Sequence, residues 1–519
     1  MSKDYEKGDV HYDDVVHDSD ITGDKSVAAD DVRRHAALTE EELVVEKKLR
    51  RKMDMIIMPM VVTVYLLNYI DRNNYPAAKL QGLMEELNMT QEQYQLGLSI
   101  LFVGYVLMQV PSNALLNYCA KPSWYLGFFI IAWGLVSALT SQVHNYKEIV
   151  ACRFILGIVE APFFPGVLFY LSKWYTKKEL NLRMSIFYSG SLLSGAFGPL
   201  IAAGILENLA GERGISAWRW LYIIEGTITV FVGIIIVCFL PDFPDSWKLL
   251  SPEMKHVANR RMALDASEAD TDGANKTDHW TGLKQAFADP KTYILAISYH
   301  GIVAASGFQN FYPTLVRTFN IGNNVQTLLL VAPPYIFMTI YSLCHGLASD
   351  RYQKRFWFYV YPIPIVLAGA LVFMFTESFG SRYFSLFMLN FVFAMNGTIY
   401  AWIANGIPRP PAKRAAALAF INSVGNAASI WTPFTYNDGD RPYYRSAMGI
   451  NMGMTVVAGA SAVAMKFILE SQNRQLIRME NEDTPLTDKD MRKLERTAEI
   501  EGIDIASARM LQKGYRYIV

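Results

Sequence analysis

The chain has 519 residues with 48 basic and 48 acidic side chains, so its formal net charge at pH 7 is zero and it lacks the basic surplus of a nucleic-acid-binding protein. Apolar residues make up 52% of the chain and charged residues only 18%. Soluble proteins carry about 25% charged residues, so this composition excludes a disordered, collagen-like or disulfide-stapled protein. Twelve membrane helices of ~20 residues would use ~240 positions, which fits the apolar share.

Two series of six apolar stretches alternate with polar segments along the chain. A polar N-terminal tail, 1–54, carries no short apolar segment at its start, so we expect no cleaved signal peptide. A polar linker, 241–290, separates the two series, and a polar tail, 471–519, closes the chain. We therefore predict an all-α membrane protein with two six-helix bundles, 55–240 and 291–470. The predicted spans are 55–74, 94–118, 124–142, 149–171, 184–206, 218–240, 292–312, 325–348, 357–376, 383–407, 415–436 and 446–465.

The distribution of Lys and Arg predicts the orientation of the spans. Basic residues are concentrated before the first span, in the linker, and after the fourth, eighth and tenth spans. By the positive-inside rule, both termini and the linker face the cytoplasm, and we expect a multi-pass protein of the plasma membrane. Asn88, in the sequon Asn88-Met89-Thr90, then lies in the first outside loop, where it is a candidate for N-glycosylation.

Motifs for other kinds of membrane protein are missing from the sequence. It contains no Walker-type phosphate loop and no HExxH, so nothing in it suggests ATP-driven pumping or zinc hydrolysis. We expect a protein that is not an enzyme and that has no cofactor and no metal. The histidines of the spans, His300 and His345, are interpreted as hydrogen-bonded helix contacts and not as a proton relay. Two similar six-helix halves are typical of a secondary transporter with its site at the midplane between them. We expect such a carrier to be a monomer.

Ionisable residues in the predicted spans are confined to the first half. They lie in spans one, four and six, in the pairs Asp71 and Arg72, Arg153 and Glu160, and Arg219 and Glu225. Insertion scales put the cost of such a group at about 2.5–3.5 kcal/mol, so the six groups require partners, a watery cavity or a function.

The depths of these groups suggest how they pair. Asp71 and Arg153 fall at a similar level, so an ion pair between them is possible, with Arg72 and Glu160 turned toward a central cavity. In the alternative interpretation, Asp71–Arg153 and Arg219–Glu225 are structural pairs, and we favour it for the second pair, since Arg219 sits at a span end. A cationic Arg72 in the cavity indicates an anionic substrate.

Several motifs together resemble the major facilitator superfamily, and within it the anion:cation symporter family, close to its fungal allantoate and nicotinate permease branch. The resemblance covers roughly residues 45–470, and the closing GYRYIV (514–519) is also typical of that branch. The motifs are NYIDRNNYPAAKL (68–80), GYVLMQVPSN (104–113), RFILGIVEAPFFPGVLFYLSKWY (153–175), WRWLYIIEG (218–226) and GLASDRYQKR (346–355).

The resemblance implies proton-driven symport of a small organic anion, vitamin- or ureide-like, by alternating access. It assigns Asp71 and Glu160 as protonation sites, Arg72 as the contact for the substrate anion and Arg153 as a pairing partner. The resemblance also places several further residues in the cavity, although ordinary hydrogen bonding between helices explains their positions about as well. These positions are Tyr69, Tyr105, Gln109, Trp402, Asn422 and Asn426, with Tyr299, Gln309 and Tyr312 as weaker candidates.

Two motifs leave the mechanism open. Asp350 and Arg351 in GLASDRYQKR match the cytoplasmic gating motif of the superfamily, but the corresponding loop NYCAKPSWYLG (117–127) lacks an acidic residue. SGAFGPLIAAG (194–204) in span five is similar to a motif of proton antiporters that export drugs, although close helix packing also explains it. A proton-antiport exporter of a drug or secondary metabolite and a non-transporting nutrient sensor therefore remain alternatives.

Overall fold

The computed structural model describes residues 38–480, apart from 119–120, 271–278, 353 and 408–410, together with residues 491, 492, 495 and 517. Within these residues the chain forms helices and loops and no β-strand. The helices at the predicted span positions are numbered α1 to α12. In the first half they are α1 (Glu40–Leu80), α2 (Gln91–Tyr118), α3 (Pro122–Thr140), α4 (Tyr146–Trp174), α5 (Lys177–Asn208) and α6 (Ala217–Phe239).

The second half contains more interrupted helices. Its helices are α7 (Pro290–Ala305, continued by Ser306–Phe311 and Tyr312–Arg317), α8 (Asn324–Tyr352), α9 (Arg355–Val360 and Pro362–Phe375), α10 (Phe379–Leu389 and Val392–Gly406), α11 (Pro411–Trp431) and α12 (Arg445–Glu480). Within the linker lie two further helices, Pro252–Asp270 and His279–Phe287.

The predicted all-α membrane fold is confirmed. In the described part of the chain, nine helices are long and apolar enough to cross a membrane. The other three predicted spans coincide with α2, α7 and α11. Polar sequence extends two helices beyond their predicted spans: α1 begins at Glu40 and not near 55, and α12 continues to Glu480 and not only to 465.

Local sequence signals explain where the helices begin and break. The N-cap of α1 is Thr39, whose hydroxyl accepts a hydrogen bond from the Glu42 backbone nitrogen while the Glu42 carboxylate accepts one from the Thr39 backbone nitrogen. This capping box satisfies backbone donors that a helix start leaves free. Helix α4 is interrupted after Glu160, next to Pro162, because proline has no backbone N–H to donate to the helix.

Glycines allow α3 and α6 to pack closely. A Cβ atom at Gly134 of α3 would lie 2.8 Å from the Val230 backbone nitrogen, and one at Gly226 of α6 would lie 2.8 Å from the Ala138 Cβ atom. Small residues let membrane helices approach to backbone contact in this way. Glu225, next to Gly226, accepts a hydrogen bond from Asn74 of α1.

The two halves meet along α5 with α8 and along α2 with α11. We call the end of the bundle that carries the linker the linker end, and the opposite end the distal end. Described residues make five hydrogen bonds between the halves. Gln91 and Gln95 both donate to the Tyr436 carbonyl oxygen at the distal end, at 3.2 and 2.8 Å. The remaining three are Ser99 to the Ile430 carbonyl, Asn324 to the Leu80 carbonyl, and Ser423 to the Gln109 side chain.

Depth along the helices shows which end these bonds close. Of the five bonds formed by the described residues, the Ser423–Gln109 bond lies deepest toward the linker end, near the middle of α11. The others join the distal halves of the helices. The structure is therefore closed at the distal end.

At the linker end, buried charges attach the linker to the first half. The side chain of Arg261, in the helix Pro252–Asp270, is only 2% exposed and forms an ion pair with Glu179 of α5 at 3.2 Å. Arg183 of α5 binds Asp54 of α1 through two hydrogen bonds, at 2.6 and 3.1 Å. Partly buried pairs of this kind fix the register of helix ends.

Candidate functional site

The central charge pair of the first half joins α1 to α4. Arg72 donates from Nε to the Glu160 Oε2 atom at 2.7 Å. The Glu160 side chain is fully buried, whereas 15% of the Arg72 side chain is exposed. Among the described residues, Glu160 is the one carboxylate that pairs with Arg72, and the Tyr105 phenol also interacts with its guanidinium. The carboxylate of Glu160 thus binds one side of the guanidinium. We call the two terminal nitrogens of Arg72, at its other end, the fork.

Three aromatic rings surround the guanidinium of Arg72. Its Cζ atom lies 4.9 Å from the centre of the Tyr105 ring, 5.3 Å from that of Tyr69 and 5.8 Å from that of Phe102. Ring faces attract a cation and hold its plane without consuming its N–H donors. The fork is thus oriented but still able to donate hydrogen bonds to a ligand.

A polar cluster of the second half lies near the rings that flank Arg72, because its Tyr299 is close enough to Tyr69 and Tyr105 to interact with them electrostatically. Tyr400 of α10 has its hydroxyl 2.8 Å from the Tyr299 hydroxyl and 2.9 Å from the Asn422 side-chain oxygen. Asn426 donates to the same Asn422 oxygen at 3.0 Å. The ring of Tyr400 stacks on Tyr188 of α5 with centroids 5.7 Å apart, so the cluster lies at the interface between the halves.

Gln109 of α2 also contacts the second half near this cluster. Its side-chain oxygen accepts a hydrogen bond from the Ser423 hydroxyl at 3.2 Å. Ser423 is flanked in sequence by Asn422, so the predicted residues of α2 and α11 come together. The structure therefore groups Arg72, Glu160, Tyr69 and Tyr105 on one side and Asn422, Asn426 and Gln109 at the interface.

Asp71 points away from this interface. Its carboxylate accepts hydrogen bonds from Trp133 Nε1 and the Ser137 hydroxyl of α3, both at 2.6 Å, and from Asn74 at 3.4 Å. Only 1% of Asp71 is exposed. The side chains of the consecutive residues Asp71 and Arg72 thus point in different directions: Asp71 into the interior of the first half, and Arg72 toward the region between the halves.

The ion pair expected between Asp71 and Arg153 is not formed. Arg153 instead donates from Nε to the Gly97 carbonyl at 3.3 Å and lies 4.7 Å from the centre of the Tyr75 ring. Trp133 and Ser137 occupy the Asp71 oxygens that Arg153 was expected to take. Depth along the helices was compatible with the pair, but depth does not fix the direction of a side chain around its helix.

The structural pair expected between Arg219 and Glu225 is likewise wrong. Arg219, in the first turn of α6, forms an ion pair with Glu86 at 2.7 Å. Glu86 also accepts hydrogen bonds from the Ser216 hydroxyl and from Trp218 Nε1. Glu225, almost two turns further along α6, accepts a hydrogen bond from Asn74.

Other predicted residues lie elsewhere. Trp402 is 1% exposed and packs 5.8 Å from the Tyr359 ring, inside the second half. Arg351 is exposed, and the side chain of Asp350 lies outside the described residues, so their gating role stays a prediction. Asn88 is exposed in the loop between α1 and α2, as a glycosylation site requires.

The two histidines of the spans form the predicted helix contacts. His300 bonds through Nδ1 to the Val424 carbonyl at 2.8 Å. His345 bonds to the Tyr361 hydroxyl at 2.7 Å and to the Thr398 hydroxyl at 2.9 Å.

Sequence reasoning missed several groups that define the site. Tyr188 and Tyr400 stack across the interface, and Phe102 completes the aromatic ring set around Arg72. Nothing in the spacing of aromatic residues separates these from the many that fill the helix core. Asn74 was within reach of prediction, because it follows Asp71 by three residues and so shares its helix face.

Comparison with known proteins identifies the family. The family model described as "Major Facilitator Superfamily" matches residues 61–433. The chain is 34% identical over 447 residues to "MFS-type transporter cnsO" of Penicillium expansum, covering 83% of this chain and 84% of that protein. It is 28% identical over 407 residues to "Major facilitator-type transporter hxnP" of Emericella nidulans, covering 77% and 81%.

Solved structures agree on the fold. A bacterial homologue of the human lysosomal transporter Spinster, solved in an inward-facing, unoccupied conformation, superposes with a TM-score of 0.62 at 14% identity. The match covers 80% of this chain and 97% of the bacterial protein. The helical halves, the polar site between them and these matches place the chain in the Major Facilitator Superfamily, as a multi-pass membrane transporter that works by alternating access.

Proposed function

We propose that this transporter is a proton-coupled symporter of a small organic anion, as in the anion:cation symporter family. The observation that carries the proposal is the contact of Arg72 with Glu160, which occupies one edge of the guanidinium, while no second carboxylate among the described residues pairs with its other edge. A guanidinium fork suits a carboxylate, because its parallel N–H donors match the two carboxylate oxygens.

Charge balance at this pair supplies the coupling. With Glu160 ionised and no substrate present, the pair is neutral. With a proton on Glu160 and an anion on Arg72, it is neutral again. An anion without a proton, or a proton without an anion, leaves one net charge in a poorly solvated site, which is expensive. Only the empty and the doubly loaded carrier then reorient readily, and anion and proton move together.

The surroundings of Arg72 support a compact, partly planar anion. The rings of Tyr69 and Tyr105 present flat apolar surfaces beside the cation. Across the interface, Asn422, Asn426 and Tyr400 offer amide and hydroxyl groups for the polar remainder of the substrate. Vitamin-like carboxylates and ureide anions combine a carboxylate with such a polar or flat body.

Asp71 serves in this proposal as a second protonation site. It shares α1 with Arg72 but faces the interior of the first half, where α3 holds it through Trp133 and Ser137. A change in its charge acts on the position of α1, and hence of Arg72, without contact to the substrate.

An uptake screen tests the function. Cells that lack their own permeases are given radiolabelled nicotinate, allantoate or a sugar acid, with and without an inward proton gradient. We expect accumulation of at least one anion above equilibrium, abolished by an uncoupler. Arg72→Ala should abolish uptake while the protein still reaches its membrane. Unchanged anion affinity in Arg72→Ala would refute the site.

An exporter would use the same residues in the opposite direction. The motif that suggested one includes Gly195, and the structure supplies another reason for a small residue there. A Cβ atom at Gly195 would lie 2.8 Å from Cγ of Tyr335 on α8, so the glycine allows α5 and α8 to meet across the halves. Loss of a preloaded labelled anion on acidification outside the cell would nevertheless indicate antiport and overturn symport.

We further propose that the linker end faces the cytoplasm and that the protein resides in the plasma membrane. The basic residues of the predicted inside loops support this orientation, as does the exposed sequon at Asn88 on the distal side. A glycosidase should shift the wild-type protein on a gel and leave Asn88→Gln unshifted.

A further inference from the structure

A second group of buried carboxyls lies inside the first half, apart from the Arg72–Glu160 pair. Asp71 of α1 and Glu225 of α6 are 1% and 2% exposed. One amide connects them: the Asn74 nitrogen contacts Asp71 Oδ1 at 3.4 Å and also contacts Glu225 Oε2. The transport cycle proposed above uses Asp71 but gives Glu225 no part.

Asp71 has partners that stabilise its charged form, although its burial and the nearby Glu160 oppose ionisation. Two short hydrogen bonds from Trp133 and Ser137 supply a donor to each of its oxygens. Arg153 of α4 is close enough to act on it electrostatically. Donors and a nearby cation stabilise a carboxylate relative to the neutral acid.

Glu225 has fewer partners that could stabilise its charged form. Its Oε1 atom is buried and has no hydrogen-bond partner, and Asn74 is the donor to its Oε2 atom. Within the described residues, no Lys or Arg forms an ion pair with it. The charged group that acts on it most is Asp71, which has the same sign. A carboxylate oxygen without a donor in such a place costs far more than a neutral acid.

The other polar groups of this region offer no countercharge to Glu225. Tyr222 on α6 and Tyr75 on α1 are neutral phenols with buried hydroxyl groups that lack partners. Arg153 is directed to the Gly97 carbonyl and the Tyr75 ring. From α3, Trp133 and Ser137 are both committed to Asp71.

We propose that Asp71 and Glu225 hold one proton between them, linked by Asn74, and that Glu225 carries it in the distal-closed state. Glu225 is then a proton-binding residue and not the structural partner of Arg219. Its part in transport rests on the proposed symport function, to which it adds a second proton store beside Glu160. Its protonation itself does not depend on that function.

Infrared spectroscopy of the full-length protein in liposomes, without substrate, tests the protonation directly. A neutral carboxyl group gives a C=O stretching band that a carboxylate does not. At neutral pH we expect wild type to show a buried neutral carboxyl band that Glu225→Gln lacks. The matched control is Glu160→Gln, which should keep the band, because Glu160 forms an ion pair with Arg72. Glu86→Gln, at an ion pair outside the spans, should also keep it.

Loss of the band in Glu225→Gln but not in Glu160→Gln supports the inference. An unchanged band in Glu225→Gln overturns it, and so does a band that disappears only in Glu160→Gln. If Glu225→Gln does not fold, wild-type protein labelled with 13C-glutamate replaces it: the neutral band must shift on labelling, and it must persist in labelled Glu160→Gln. Failure of the uptake screen leaves these results untouched, so symport and the carboxyl pair are judged separately.

Discussion

Glu160→Gln should separate anion binding from proton binding. The substitution removes the charge of the carboxylate and keeps its size and its acceptor oxygen for Arg72. In the proposed cycle, an anion binds Arg72 of the wild type together with a proton on Glu160, so binding takes up one proton. The amide of the variant has no proton to take up, and Arg72 stays available at every pH.

The magnitude follows from proton linkage. Uptake of one proton changes the binding free energy by about 1.4 kcal/mol per pH unit, which is about tenfold in Kd. Wild-type anion affinity should therefore fall about tenfold for each unit of rising pH wherever Glu160 is ionised. For Glu160→Gln, the slope of log Kd against pH should be near zero, with tighter binding than wild type at alkaline pH.

Two assays on purified protein check this prediction. Equilibrium binding of the labelled anion from the uptake screen gives the slope, and counterflow in proteoliposomes shows whether the variant still exchanges substrate. We expect exchange to persist and proton-driven accumulation to be lost. Glu86→Gln, outside the spans, should keep the wild-type slope. A tenfold change per pH unit in Glu160→Gln would show that the coupled proton binds elsewhere.

Three further changes test other parts of the structure. Arg72→Lys keeps the positive charge but loses the planar guanidinium. The Kd for the anion should rise by roughly 10- to 150-fold, which corresponds to the loss of about 1.5–3 kcal/mol of charged hydrogen bonding. An affinity within twofold of wild type would exclude a bidentate contact. Gln95→Ala removes one hydrogen bond to the Tyr436 carbonyl, which contributes about 1 kcal/mol, so the population open at the distal end should rise about fivefold. A cysteine placed at that end should then be labelled faster, and an unchanged labelling rate would contradict this prediction. Burial raises the pKa of Glu86, but hydrogen bonds from Ser216, Arg219 and Trp218 outweigh it and hold the pKa below its ordinary value. Ionised Glu86 therefore stabilises the fold at pH values above the ordinary pKa of a glutamate. Glu86→Gln should lower Tm at neutral pH but not at a pH low enough to protonate wild-type Glu86. A Tm difference that does not depend on pH would refute this prediction.

The fold was predictable because its signal is repeated along the chain. Twelve apolar stretches, each long enough to cross the hydrocarbon layer, leave few alternatives to a helical bundle. The ends of the helices were less predictable. Nothing apolar marks residues 40–54, yet the capping box at Thr39 starts α1 there, and pairs such as Arg183–Asp54 hold the polar turns in place.

The site was predictable in its members but not in its pairings. The sequence singled out Arg72 and Glu160 as charges in apolar spans, and the structure brings them to 2.7 Å. It did not show that Asp71 turns toward α3 or that Glu86 takes Arg219, because a rotation of one helix by a single position redirects each side chain. Tyr400 and Tyr188 were missed since a stacking contact across the halves depends on how the halves dock.

The hydrogen bonds between the halves have a consequence for the environment in which the carrier can work. In the described part of the interface, every such donor is an amide or hydroxyl and every acceptor is a backbone or amide oxygen. Uncharged contacts of this kind neither titrate nor weaken with ionic strength. Breaking these five bonds should therefore need the same work in acidic and in saline media. External acidity and salt would then act on the cycle through the transported anion, its proton and charged groups such as Lys79 and Asp438, which interact across the halves, and not through these five bonds.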